Sequence, residues 1–146
     1  MLTLLQKAPD FLLLGSDGQM HSLSALRGKK GVLYFYPKDN TPGCTQEACD
    51  LRDNMAQLSR LNAVVLGVSK DSIASHEKFR DQYQLNFILL SDPDMAVHKA
   101  YGAEKDGRTV RSTFIINSQG QVARTWYQVN VKGHIQEVLR GLAEVT

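Results

Sequence analysis

Apolar positions change period several times along the chain, and each change marks an element. FLLL at 11–14 and the MHSL that follows GSDGQ read as a β-hairpin near the start. SLSALRG reads as one helical turn closed by Gly28. Gly31–Tyr36 is uniformly apolar, which suits a central strand buried on both faces. A polar loop, Pro37–Gly43, follows. From 42 to 60, Ala48, Leu51, Met55 and Leu58 recur at spacings of three and four and predict a helix. Residues 63–69 predict a second strand, and the strand–helix–strand order makes the two strands parallel with a right-handed crossover. Next come a helix at about 72–84, a strand at 87–90, a short helix from Pro93 to Tyr101 and a loop at 102–109. Val110–Asn117 and Gln121–Tyr127 flank Ser118-Gln119-Gly120 as a second hairpin, and Val131–Glu144 closes the chain as a helix.

This order predicts an α/β fold: a mixed central sheet with helices on both faces and an N-terminal hairpin. No repeat, low-complexity tract or linker divides the chain, so residues 1–146 are expected to form a single domain. With 42% hydrophobic and 22% charged residues the composition is globular, and a disordered chain is excluded. Seventeen basic and 15 acidic residues leave a net charge of +2, and the longest basic block is Arg27-Gly28-Lys29-Lys30. Neither nucleic acid nor a membrane surface is an expected partner. No apolar run approaches the ~20 residues that span a bilayer. MLTLLQKAPDF lacks the basic and long apolar regions of a signal peptide, so the expected location is the cytoplasm.

Two cysteines, Cys44 and Cys49, lie in DNTPGCTQEACDLRD. They are too few for a disulfide-stapled secreted scaffold. They could be buried thiols acting as small hydrophobes. Their placement favours chemistry. The segment follows the first parallel strand and opens a helix, where ligand sites form in α/β sheets. Thr41 is a good N-cap, and Pro42 fits the first helical position with its φ already set. Cys44 then sits in the first turn, where free amides and the helix dipole favour an anion and should lower a thiol pKa.

At an unperturbed pKa near ~8.5, only about 3% of a thiol is ionised at pH 7. Full ionisation adds at most ~30-fold in reactive fraction, about 2 kcal/mol. The rest of an efficient thiol reaction must come from positioning and from stabilising developing charge. A basic partner is therefore expected. Arg108 and Arg111 in the late hairpin are the candidates, with Lys38 and Arg52 weaker. Arg111 opens RSTFII, where a strand end can hold a guanidinium over a helix N-terminus; a solvated hairpin charge is the plainer alternative. Glu47 lies in the first turns on the edge of the same face. It could orient an arginine, although such a glutamate is common in ordinary helices.

Cys49 follows Cys44 by five residues, or 140° around a helix, with Cα atoms ~8.7 Å apart. A disulfide needs less than about 7 Å. The pair cannot bond while the helix is intact but can bond if its first turns unwind. Two unrelated thiols are the alternative. His21, His76, His98 and His134 show no metal-ligand spacing, so no metal is expected. His76, beside Ile73, Phe79 and Tyr83, reads as a half-buried, hydrogen-bonded imidazole. Among Tyr34, Phe35 and Tyr36, Phe35 or Tyr36 could line a pocket.

YFYPKDNTPGCTQEACDLRD resembles the active-site segment of the peroxiredoxins, with their Pro-x-x-x-Thr-x-x-Cys pattern at Pro37, Thr41 and Cys44. Cys49, GVSKDS, SHEKFRDQYQL, LLSDPD and RSTFIIN are similar to the bacterioferritin comigratory protein (peroxiredoxin Q) branch, and the likeness covers nearly the whole chain. The resemblance implies a thioredoxin-like fold and reduction of hydrogen peroxide or organic hydroperoxides. It implies that Cys44 is the peroxidatic cysteine and Cys49 the resolving one. Thr41 would hold thiolate and peroxide, and Arg111 would stabilise the thiolate and polarise the peroxide. Pro37 would shield the pocket, and Glu47 would orient the arginine. Thioredoxin or a similar dithiol would be the reductant, no cofactor is implied, and a monomer is expected. DQYQLNF carries no cysteine of the kind some members of this branch use for resolution, and YGAEKDGRTVRSTF departs from the usual bulkier loop. A thiol–disulfide oxidoreductase or a redox sensor on the same fold are the competing readings.

Overall fold

The computed structural model describes residues 2–145. Leu12–Leu14 (β1) and Met20–Ser22 (β2) form the N-terminal hairpin, and a 3-10 turn spans Ser24–Leu26. Lys30–Phe35 (β3), Pro42–Asp53 (α1), Met55–Arg60 (α2) and Ala63–Ser69 (β4) follow, then Ile73–Tyr83 (α3), Ile88–Ser91 (β5) and Ala96–Ala100 (α4). Glu104–Lys105 (β6), Arg108–Thr109 (β7), Ser112–Ile116 (β8), Val122–Tyr127 (β9) and His134–Glu144 (α5) complete the chain.

Five strands form the central sheet in the order β5-β4-β3-β8-β9. β3, β4 and β5 are parallel, as their helical crossovers require, whereas β8 and β9 run antiparallel to β3 and to each other. The mixed central sheet expected from the element order is present. Alternation along β3 divides the core. Val32, Tyr34 and Tyr36 face α1, α2, α3 and α5, where Leu51, Leu58, Phe79 and Val138 meet them. Leu33 and Phe35 face the opposite way, onto Phe114, Tyr101 and the N-terminal Phe11. Helices therefore cover both faces unequally: four lie on one, and α4 with the N-terminal segment covers the other.

Several boundaries differ from the sequence pattern. The helix expected over 42–60 breaks at Asn54, whose side-chain amide donates to the Asp50 carbonyl while its backbone leaves helical angles. Asparagine competes in this way for backbone groups that would otherwise continue the helix. The expected loop at 102–109 contains a small hairpin, turned at Asp106 and Gly107, both with positive φ. Asp-Gly is a strong hairpin signal of this kind. The last helix starts at His134 rather than Val131, after Gly133 at φ 80°. β8 starts at Ser112, so Arg111 stands just before the strand rather than opening it.

Candidate active site

Cys44 lies in the first turn of α1, directly beyond the carboxyl end of β3. Thr41 occupies the cap position with extended backbone, and Pro42 begins the helix. The Thr41 hydroxyl does not cap the helix; it donates to the Lys38 carbonyl at 2.9 Å. The expected side-chain cap is thus replaced by a bond that closes the preceding loop. Pro37 is exposed at the exit of β3. Cys44, Glu47, Ala48 and Leu51 form the buried face of α1.

Arg111 meets this face from the start of β8. Its Nη2 donates to Cys44 Sγ at 3.2 Å, and its Nη1 donates to Glu47 Oε1 at 2.6 Å. The two acceptors lie one helical turn apart, and the planar guanidinium spans them with separate nitrogens. Gly43 leaves the room this needs, because a Cβ there would come within 3.3 Å of Nη2. The contact to the sulfur is a charge-assisted one, made by a cationic donor. Burial pushes the Glu47 carboxyl up to about 7, against the opposing pull of Arg111. Although burial works against its charge, Arg111 is raised further by Glu47 and Cys44. The other Glu47 oxygen and the Tyr34 hydroxyl are buried without a hydrogen-bond partner.

Of the basic candidates, only Arg111 reaches the thiol. Arg52 donates to Asp53 and to the Tyr83 carbonyl, and Lys38 and Arg108 are exposed. Cys49 is partly exposed on the same unbroken helix, away from the buried face, and the two cysteines are not bonded. This is the arrangement the helical spacing predicts. Phe35 points to the opposite side of the sheet, against His98 and Tyr101, and Tyr36 is tied by its hydroxyl to Asp39. His76 is fully buried rather than half-buried, held between Asp39 and the Leu90 carbonyl. Asp39 itself carried no sequence signal beyond a polar loop position. Asp39, Asp71 and His76 bring ligand-type atoms within 4.8 Å of one another, but hydrogen bonds already engage these groups.

A guanidinium-bound cysteine at a helix N-terminus, beside a mixed sheet of this order, defines a thiol enzyme of the thioredoxin fold. The AhpC/TSA family model matches residues 4–125. A Coxiella burnetii protein named for the Bcp peroxiredoxins is 48% identical over 142 residues, covering 92% of this chain and 94% of that protein. Peroxiredoxin Bcp of Bacillus subtilis is 42% identical, covering 97% of this chain and 95% of its own length. The solved bacterioferritin comigratory protein of Xanthomonas campestris, described for alkyl peroxide reduction, superposes with a TM-score of 0.92 at 36% identity. That match covers 97% of this chain and 98% of the other. The chain belongs to the AhpC/TSA family, among its Bcp, or peroxiredoxin Q, members. Among the described residues, no helix is long and apolar enough to cross a membrane.

Proposed function

We propose a catalytic cycle for this thiol-dependent peroxidase in which Cys44 is the peroxidatic and Cys49 the resolving cysteine. The observation that carries it is the Arg111 guanidinium, which donates to the Cys44 sulfur with one nitrogen while Glu47 holds another. The Cys44 thiolate attacks one oxygen of hydrogen peroxide or an organic hydroperoxide. An S–O bond forms, the O–O bond breaks, and the leaving oxygen takes up a proton to depart as water or alcohol. Arg111 and the free amides at the start of α1 stabilise the charge that develops on that oxygen. Thr41 lies at the mouth of the site, where rotation of its hydroxyl away from Lys38 would place a donor on the peroxide. Pro37 stiffens the loop at its exit from β3.

Cys44 is then a sulfenic acid. The first turns of α1 unwind, the Cys49 sulfur attacks, an S–S bond forms, and water leaves. Thioredoxin or a similar dithiol returns both cysteines to thiols, and its own thiols become a disulfide. Residues 1–146 act as one catalytic domain, and a monomer suffices, since one chain supplies Cys44, Arg111, Glu47 and Cys49. The cytoplasm, where a dithiol donor is available, suits this cycle. Peroxide consumption supported by a thioredoxin system is the test. Cys44→Ser should abolish it, and ordinary turnover by that variant would overturn the reading.

A further inference from the structure

Asp39 lies five residues before Cys44, in the loop that feeds α1, and is buried. The Tyr36 hydroxyl donates to one of its carboxylate oxygens at 2.6 Å. The other oxygen takes the Ser75 hydroxyl at 2.8 Å and faces His76 Nδ1 at 2.7 Å. The Asp39 amide donates to the Asp71 carboxylate at 2.8 Å.

His76 is wholly buried on α3, and its Nε2 lies 2.9 Å from the Leu90 carbonyl. A carbonyl only accepts, so Nε2 carries a hydrogen. Nδ1 faces a carboxylate oxygen, so their short contact also needs a proton, placed on His76 or on Asp39. The other two buried histidines are not constrained in this way. His98 and His134 each face a threonine hydroxyl, Thr109 or Thr113, which can donate or accept. The Asp39–His76 contact is therefore a proton-bridged clamp between the loop and α3.

A second set of bonds extends it. Asn40, at φ 61°, donates to Gln82 and accepts from the Tyr83 hydroxyl. Downstream, Arg52 donates to the Tyr83 carbonyl at 2.7 Å, and Asn86 donates to the Arg52 carbonyl. The end of α3 and the residues after it thus hold the chain on both sides of the stretch that contains Cys44 and Cys49.

We propose that Asp39 and His76 are positioning residues for the peroxidase reaction. They fix the loop to α3 so that Cys44 meets Arg111, and they make Thr41 the upstream limit of the unwinding that disulfide formation requires. The pair acts through the loop and touches no reacting atom. The second half rests on the Cys44–Cys49 bond proposed above; the first does not.

Asp39→Asn preserves the clamp, because the amide donates to a neutral His76 Nδ1, whereas Asp39→Ala removes it. In a Cys49→Ser background, single-turnover oxidation of Cys44 by hydrogen peroxide should slow about tenfold or more in Asp39→Ala and return to within about twofold in Asp39→Asn. An unchanged rate in folded Asp39→Ala, or an Asn variant as slow as the Ala variant, overturns the positioning role. His76→Gln, which keeps a donor for Leu90, replaces Asp39→Ala if that variant does not fold. Hydrogen exchange on the oxidised full chain, with intact mass showing loss of two hydrogens, tests the boundary. Amides of 45–49 should lose protection while the Asp39 amide keeps it; loss of protection at Asp39 overturns the boundary. If the two-hydrogen loss is absent, the disulfide reading fails instead, and the single-turnover rates decide the clamp on their own.

Discussion

Arg111 and Cys44 stand 67 positions apart in sequence, yet the guanidinium donates to the thiol sulfur at 3.2 Å. The contact exists because β8 pairs with β3 in antiparallel register, Ser112 opposite Phe35, which brings the start of β8 beside the loop and helix that follow β3. Substituting Arg111 should therefore act directly on the peroxide step. Arg111→Ala is expected to lower the second-order rate constant for Cys44 oxidation by about 10²–10³, the usual effect of losing one preorganised donor. Arg111→Lys should recover little of it, because a point charge cannot bond the sulfur and Glu47 with separate nitrogens of one plane. Stopped-flow oxidation of the reduced enzyme measures both, and near-parental rates in either variant would contradict the assignment.

Glu47 makes stability fall as pH rises. Its carboxyl is pushed up to about 7 from 4.5 by burial, so between these values the folded protein binds more protons than the unfolded one. The unfavourable contribution is absent below about 4.5 and fully present above 7. Glu47→Gln should match the parent near pH 4 and exceed it at pH 8 by on the order of 3 kcal/mol. The same variant should oxidise more slowly, since Arg111 loses a charged tether. Denaturant midpoints at the two pH values check the sign, and a variant less stable at pH 8 would contradict it.

Cys49 is dispensable for the first chemical step in this account. Cys49→Ser should be oxidised by one equivalent of peroxide at the parental rate and then stall with thioredoxin as the donor. Trapping of a sulfenic acid at Cys44 with a carbon nucleophile reads this directly. Sustained thioredoxin-dependent turnover at the parental rate would remove Cys49 from the cycle.

The Tyr34 ring lies over Gly67, its pairing partner on β4; a Cβ there would come within 2.8 Å of the ring. Its hydroxyl is buried without a partner. Tyr34→Phe removes an unsatisfied polar atom and should leave stability unchanged or raise it by up to about 1–3 kcal/mol. Gly67→Ala should destabilise by roughly 1–3 kcal/mol through overpacking against the same ring. Thermal unfolding of the two variants should move in these different directions; a marked loss in Tyr34→Phe would show that the hydroxyl has a partner.

Local pattern made the reactive helix legible and left its support hidden. The uniform apolar run of β3, the Thr41-Pro42 start of α1 and the five-residue step from Cys44 to Cys49 are local signals, and each corresponds to what the fold contains. The break at Asn54 and the Asp106-Gly107 turn are local too, but the apolar stripe running to Leu58 and the polarity of 102–109 masked them. Arithmetic on a lone thiol required a basic partner without choosing between Arg108 and Arg111; the resemblance pointed to Arg111, and strand register brings it to the sulfur. The Asp39–His76 contact had no local signal, since its partners come from a loop, α3 and the end of β5. Periodicity placed His76 near the apolar face of its helix, but only the sheet beneath that helix makes its burial complete.

The cycle as a whole turns on whether one peroxide converts both cysteines of a single chain. Intact mass and thiol counting before and after one equivalent of hydrogen peroxide under non-reducing conditions decide this. The account predicts that the monomer mass falls by two hydrogens, that both free thiols disappear, and that one peptide pair joins Cys44 to Cys49. A gain of one oxygen with the Cys49 thiol still free, or a disulfide between two chains, would contradict it.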